Sequence, residues 1–290
     1  MIINIENEYL RVAVSTHGAE VQSIVDKATG FDYLWNGDAK FWKRHSPVLF
    51  PIVGSVWNGV FRMDGKEYSL GQHGFARDME FAQAGNTAPG RESFVLRWTE
   101  ETLQRFPRRF ELQIHYSLEG KRLNVGWTVI NRDDRNMDFQ IGAHPAFMMP
   151  QFNVSDPVHG YFAFNVGDIE SEVLLPGGSV GDGFRKVELD ADGHLPITEH
   201  AFDCGTYILH DSRVTEVSLL DKDRNRVVRV GFRAPYLGLW SPSPECPFVC
   251  IEPWYGRADS HGYDGEFHDR PGVTTIAPGE AREFGYHMEF

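Results

Sequence analysis

Cysteine is scarce: Cys204, Cys246 and Cys250 are the only three in 290 residues, an odd number with no Cys-x-x-Cys pair. The spacing of Cys246 and Cys250 fits neither a zinc knuckle nor a redox motif. Basic charge is also short, with 28 Lys and Arg against 41 Asp and Glu and a formal net charge of −13. Nucleic acid and anionic membrane surfaces attract clusters of Lys and Arg, so no nucleic-acid partner and no membrane partner is expected. There is no run of 18 consecutive apolar residues, hence no helical span. The opening residues Met1–Glu6 carry neither a basic region nor a long apolar stretch, so no secretory signal is expected and the expected compartment is cytoplasmic. The 12 histidines are scattered without His-x-His or His-Glu-x-x-His spacing, and no metal is expected. No glycine-rich loop resembles a phosphate cradle.

Long segments of 3.6-residue periodicity are missing too; alternation takes their place. Leu112, Ile114, Tyr116 and Leu118 share one face, and after Glu119-Gly120 so do Leu123, Val125, Trp127 and Val129. These two runs read as a hairpin. The same period of two recurs at Leu10–Val14, Val228–Phe232 and Phe284–Phe290. Strict alternation marks half-buried antiparallel strands, and turn signals such as Asp64-Gly65, Asp192-Gly193 and Pro278-Gly279 punctuate it. Helical candidates are short: residues 38–42 and 100–103. Many strands with 29 glycines and 16 prolines predict an all-β fold, a large sandwich or barrel. Residues 150–203 are weakly patterned and read as an insertion over one edge. With no linker or repeat, residues 1–290 are expected to form one domain.

Three titratable residues stand out among glycine, proline and aromatic neighbours. His73 precedes Gly74, which permits close approach of backbone and ligand, and Arg77 follows with a fork of donors able to orient a carboxylate or a backbone carbonyl. A structural role for His73 is the plain alternative. His144 precedes Pro145, which biases it toward extended backbone where a strand breaks. Such a histidine can exchange protons near neutrality, or simply be a satisfied strand-end residue. Glu252 ends a buried run, Pro247–Ile251, beside Trp254. Either it pairs with Arg257 or Arg77, or desolvation raises its pKa and fits it for acid/base work. A pair of glycosidase-type carboxylates stays open, because their separation is spatial. Of the seven tryptophans, most belong in a core, and a few lining a cleft would stack on a sugar ring.

Five stretches occur together in a recognisable order: 47–54, 71–78, 141–147, 235–241 and 248–256. They read Pro-Val-Leu-Phe-Pro-Ile-Val-Gly, Gly-Gln-His-Gly-Phe-Ala-Arg-Asp, Ile-Gly-Ala-His-Pro-Ala-Phe, Pro-Tyr-Leu-Gly-Leu-Trp-Ser and Phe-Val-Cys-Ile-Glu-Pro-Trp-Tyr-Gly. On these residues the chain resembles the aldose 1-epimerase (mutarotase) family, and within it the bacterial LacX-like branch. The resemblance implies a large antiparallel β-sandwich of the galactose mutarotase-like (supersandwich) type and an isomerase of carbohydrate metabolism. It implies a hexose substrate, with His144 giving a proton to the ring oxygen while Glu252 takes one from the anomeric hydroxyl. His73, with Arg77, would bind the sugar. The reaction moves protons without redox or group transfer, so no cofactor is required. Two positions depart from the family pattern. Ser55 stands where the family usually has an arginine that contacts the sugar, and the usual sugar-holding aspartate aligns on Gly205, leaving Asp203 as its candidate. A hexose-6-phosphate mutarotase and a carbohydrate-binding or regulatory sandwich without turnover are the alternatives.

Overall fold

The computed structural model describes residues 1–85 and 88–290. Two large antiparallel sheets dominate. One has nine strands, running from His194–Ile197 at one edge through Glu216–Asp221, Arg226–Phe232, Ala281–Glu289 and Arg122–Asn131 to Ala82–Gln83 at the other. The second has Phe248–Tyr255 near its middle, flanked by Tyr236–Trp240 on one side and by Ile141–Ala143 and Ala146–Met148 on the other. The predicted hairpin is present, pairing Leu112 with Val129, Ile114 with Trp127 and Tyr116 with Val125. A three-stranded sheet, Ile2–Glu6, Leu10–Ser15 and Val21–Asp26, closes one side.

The two large sheets are held together by one hydrophobic core. Leu112, Ile114, Trp127 and Val230 reach it from the nine-stranded sheet, and Leu237, Leu239, Val249 and Ile251 from the other. Aromatic contacts cross between the layers, including Tyr255 on Phe284 at 4.7 Å and Phe50 on Phe110 at 5.1 Å between ring centroids. This is the predicted sandwich. Apolar burial of this kind stabilises by roughly 25 cal/mol per Å² removed from water.

Alternation explains how the second sheet also builds a site. In Phe248–Tyr255 the odd positions Val249 and Ile251 enter the sandwich core, whereas Phe248, Cys250, Glu252 and Trp254 point out of its other face. Yet seven of its eight residues are buried, because loops cover that outer face as well. A strand buried on both sides loses the polar half of its pattern.

Two expectations are corrected. Residues 38–42 form a turn, with Phe41 and Trp42 donating to the Asp38 carbonyl, instead of a helix. The predicted segment at 100–103 is helical over Glu100–Arg105, because Thr99 and Thr102 form a reciprocal cap. Residues 150–203 are not an insertion: Gly160–Phe164 and His194–Ile197 extend the nine-stranded sheet, while Glu170–Leu174 and Val180–Lys186 extend the other. His194–Ile197 and Val180–Lys186 are edge strands, and all four strands are short and separated by turns, which is why their period was faint.

Candidate active site

A cavity of about 380 Å³ lies on the outer face of the second sheet. His144 and Glu252 meet there, with Nε2 of the imidazole 3.2 Å from Oε2 of the carboxyl group, both side chains buried. The contact is close but not aligned as a hydrogen bond, since Glu252 Oε2 has no hydrogen-bond partner. His144 sits between Ile141–Ala143 and Ala146–Met148, where Pro145 interrupts pairing. Its N–H donates to the Pro47 carbonyl at 3.1 Å. Glu252 is central in its strand and pairs in register with Gly238. The missing side chain at Gly238 has a purpose: a Cβ there would stand 2.5 Å from the Trp254 ring, so the glycine lets the indole lie against the sheet beside Glu252.

Aromatic rings frame the imidazole. Trp42 stacks on His144 at 4.7 Å and 27°, and Trp240 meets it edge-on at 5.5 Å and 84°. Together with Trp254 they line the cavity, whereas Trp35 is a core residue packed on Phe248. Of the tryptophans, then, three supply apolar faces of the kind that suit a sugar's C–H surface.

His73 enters through a backbone in the left-handed region, at φ +65°, followed by Gly74 at φ +70°. Gly74 has a structural reason different from the one expected: a Cβ there would run into the Phe50 carbonyl, so the close approach is between two backbone segments and not to a ligand. The Gly54 N–H donates to His73 Nδ1 at 3.0 Å. Burial, with His144 and Arg77 nearby, drives the His73 pKa well below its ordinary value, so the ring is neutral. A neutral ring that accepts at Nδ1 carries its proton on Nε2, which makes it a donor for the cavity. Arg77 also lines the cavity; its Nη2 donates to the Gln72 carbonyl at 2.8 Å, and burial beside Arg44 lowers its pKa to about 10. Asp203 is not brought to the cavity: it is exposed and lies 3.0 Å from His200. Thr206 occupies the wall nearest it in sequence.

The salt-bridge alternative for Glu252 does not form, because Arg257 lies 2.8 Å from Glu172 instead. Desolvation therefore dominates and raises the Glu252 pKa well above the usual carboxyl value. Desolvation, together with the Arg77 and Arg44 charges, lowers His144 to about 3. Between these limits the pair holds one proton, as a carboxylic acid beside a neutral imidazole. Moving that proton across the 3.2 Å gap gives the carboxylate and imidazolium with no change in total charge. Several buried polar atoms around the cavity have no partner: His144 Nδ1, Glu252 Oε2, Trp254 Nε1 and Arg77 Nε. Buried polar groups are normally paired, so four orphans at one cavity mark its wall as unlike an ordinary core.

Cys250 stands two residues before Glu252 on the same face, and one ligand atom each from His144, Cys250 and Glu252 falls within 4.8 Å. Sequence spacing did not foresee this group. Burial, with Glu252 and Cys246 nearby, raises the Cys250 thiol pKa well above its ordinary value. A Gly-x-Ser-x-Gly spacing, the pattern of a nucleophile elbow, is not absent from the chain: Gly177-Gly178-Ser179-Val180-Gly181 carries it. Here it forms a strand-to-strand turn without the helix such an elbow requires. Ser179 Oγ is 3.4 Å from His261 Nδ1, and among the described residues no carboxylate orients that ring. A serine nucleophile is not assembled.

Arg44, Gln72, Thr206 and Trp240 are cavity residues that sequence reasoning did not single out. Only the last carried a signal, as an aromatic at the end of the Pro235–Ser241 stretch.

Comparison with known proteins agrees over nearly the full length. The family model described as aldose 1-epimerase matches residues 1–289. Protein LacX of Lactococcus lactis subsp. lactis, in both its chromosomal and plasmid forms, is 30% identical over 300 residues, covering 99% of each chain. A galactose mutarotase-like protein from Lactobacillus casei superimposes with a TM-score of 0.93 at 29% identity, over 100% of this chain and 99% of that one. A galactose mutarotase related enzyme from Lactobacillus acidophilus gives 0.92 at 33% identity, over 100% and 97%. Among the described residues no helix is long and apolar enough to cross a membrane.

Proposed function

This chain belongs to the aldose 1-epimerase family, and from that premise we propose that it interconverts the α and β anomers of a hexose, with His144 and Glu252 as the proton-transfer pair. The observation that carries the reading is their 3.2 Å separation inside the tryptophan-lined cavity. Anomer exchange needs a proton placed on the ring oxygen and another removed from the anomeric hydroxyl. Both oxygens are bonded to C1, so the acid and the base must converge. Glycosidase carboxylates, by contrast, stand roughly 5–9.5 Å apart. Among the described residues Glu252 is the only carboxylate lining this cavity.

In the forward direction His144 protonates the ring oxygen and Glu252 accepts the anomeric proton. The C1–ring oxygen bond breaks, leaving an open-chain aldehyde. Rotation about C1–C2 presents the other carbonyl face; on closure the open-chain hydroxyl returns its proton to His144, and Glu252 gives its proton to the carbonyl oxygen that becomes the new anomeric hydroxyl. The empty pair is neutral, so the charged arrangement is reached when sugar hydroxyls enter and hydrogen-bond the carboxylate. That hydrogen bonding favours the ionised form. His73 donates through Nε2–H to a sugar oxygen and positions the ring; Arg77 holds the Gln72 carbonyl and shapes the wall. No step transfers electrons or a group, so catalysis requires no cofactor.

Each positioned acid or base typically contributes ~10²–10⁴-fold. Polarimetry of freshly dissolved α-D-glucose and α-D-galactose reads the rate directly. Wild type speeds the approach to equilibrium, while Glu252→Gln and His144→Ala each lose ~10²-fold or more of the acceleration. If wild type matches buffer while calorimetry detects sugar binding, the protein is a sugar-binding sandwich and the enzyme reading falls.

A second reading, a hexose bearing a phosphate, is favoured by Arg44 and Arg77 on one wall of the cavity. Asp78 partly neutralises Arg44 at 2.8 Å. Comparing kcat/KM for glucose and glucose 6-phosphate separates the two: a higher value for the phosphate selects the anionic substrate.

A further inference from the structure

Cys250 has no part in the proton transfer, yet it stands against both groups that carry it. It is wholly buried, two residues before Glu252 on the same face of Phe248–Tyr255, and packs with Trp35, Ala146, Cys246 and Phe248 beside the cavity. One nitrogen of His144, the Cys250 sulfur and one oxygen of Glu252 lie within 4.8 Å of one another. A second observation points into the same gap. Glu252 is 1% exposed and has no hydrogen-bond partner at Oε2, the atom 3.2 Å from His144 Nε2. That spacing has the dimensions of a coordination edge. Zinc bonds of about 2.0–2.2 Å to imidazole nitrogen and carboxylate oxygen, at tetrahedral angles, hold those donors roughly 3.3–3.5 Å apart. A zinc–sulfur bond of about 2.3 Å asks for a sulfur roughly 3.6 Å from each, so a short swing of the Cys250 side chain completes the third corner. The fourth corner opens on the cavity, where water can take it.

We propose that Cys250, His144 and Glu252 form an inhibitory zinc site, one ion per chain. A thiolate with an imidazole selects zinc over magnesium and calcium, which take oxygen ligands throughout. Charge balances as well. A divalent zinc ion displaces one proton from the Glu252 carboxyl group and one from the Cys250 thiol, so the total charge of the site is unchanged. The Arg44 and Arg77 guanidinium groups at the cavity therefore do not oppose its entry. Bound zinc takes the nitrogen that would protonate the ring oxygen and the oxygen that would accept the anomeric proton, and no sugar opens while it is held. The inhibition rests on the mutarotase reading; the binding of the metal does not.

Cobalt(II), which occupies zinc sites and is coloured, reports the ligands directly. Wild type with one equivalent of cobalt shows the intense visible bands of a four-coordinate ion and a thiolate-to-cobalt charge-transfer band, and zinc bleaches both. Zinc also raises the thermal midpoint and abolishes mutarotation until EDTA removes it. Cys250→Ala, judged against its own metal-free rate, loses the charge-transfer band. It also loses ~10-fold or more of its zinc sensitivity, at least what removal of an outer-shell partner costs a metal site. Cys250→Ser, closer in volume, serves if the smaller side chain prevents folding. Cys204→Ser, which removes the exposed thiol next to Asp203, behaves as wild type. Absence of the charge-transfer band in wild type overturns the proposal, as does zinc sensitivity that survives in the Cys250 variants or vanishes in Cys204→Ser. Should no sugar turn over even without metal, the mutarotase reading fails separately, and the cobalt spectrum and thermal shift still decide whether the site exists.

Discussion

Glu252 concentrates the chemistry and also the cost. A carboxyl group this buried, without a cationic partner, destabilises the folded state once the solution would ionise it. Its folded pKa is raised, so between the usual carboxyl value and that raised value the native chain holds a proton that the unfolded chain has lost. Stability from this group is therefore complete at low pH and declines as pH rises through that window. Glu252→Gln, which keeps shape and loses the titration, is expected to unfold at a higher temperature than wild type at neutral pH while losing turnover. Thermal scans at pH 4 and pH 7 check the sign, with the gap between variant and wild type wider at pH 7. The residue scale was also where the sequence was most readable. Gly-Ala-His-Pro and Ile-Glu-Pro-Trp announced their titratable groups because proline and tryptophan neighbours are rare around ordinary surface charge. Arg44, Thr206 and Gln72 gave no such sign, since a polar residue in a loop looks the same whether it faces water or a cavity. Asp203 was selected by alignment alone, and its place beside His200 on the surface follows from local hydrogen bonding.

At the scale of one element, the Phe248–Tyr255 strand serves two environments at once. Ile251 is wholly buried in the sandwich core, one residue from Glu252, which faces the cavity. Ile251→Ala should cost about 2–5 kcal/mol of stability through the void it leaves. Its effect on the mutarotation rate of the folded fraction should be small. Urea denaturation followed by polarimetry at low denaturant separates the two, and an equal loss of rate and stability would contradict the division of faces. Legibility at this scale followed exposure. The Leu112–Leu118 and Leu123–Val129 hairpin has one wet face and showed clean alternation. Phe248–Tyr255, covered on both faces, read as an unbroken apolar run with a single carboxylate. Within 150–203 the strands were hidden by their shortness and by the turns between them, and the edge strand Val180–Lys186 is exposed along most of its length, which weakens its apolar signal.

Across the whole molecule, the sandwich supplies a rigid floor and the loops on the outer face supply the walls. The core joining both large sheets is continuous from Leu10 near one terminus to Met288 near the other. We propose that residues 1–290 therefore unfold as one cooperative unit, giving a single calorimetric transition whose calorimetric and van't Hoff enthalpies agree. Two resolved transitions would divide the chain into separate domains. Fold class was legible because period-two patterning and turn residues recur along the entire length, and five short stretches in order carried the resemblance. The joining of Ser55, Trp57, Ser179 and Asp259 around a second cavity was not, because three segments distant in sequence meet there only after both sheets have formed. The most direct measurement is two-dimensional exchange NMR of the α and β anomeric protons of glucose, galactose, maltose and lactose at equilibrium with the protein. Wild type is expected to exchange the two signals faster than buffer, with no deuterium entering C2. Exchange no faster than in buffer for every sugar, or undiminished exchange in both Glu252→Gln and His144→Ala, would contradict the account.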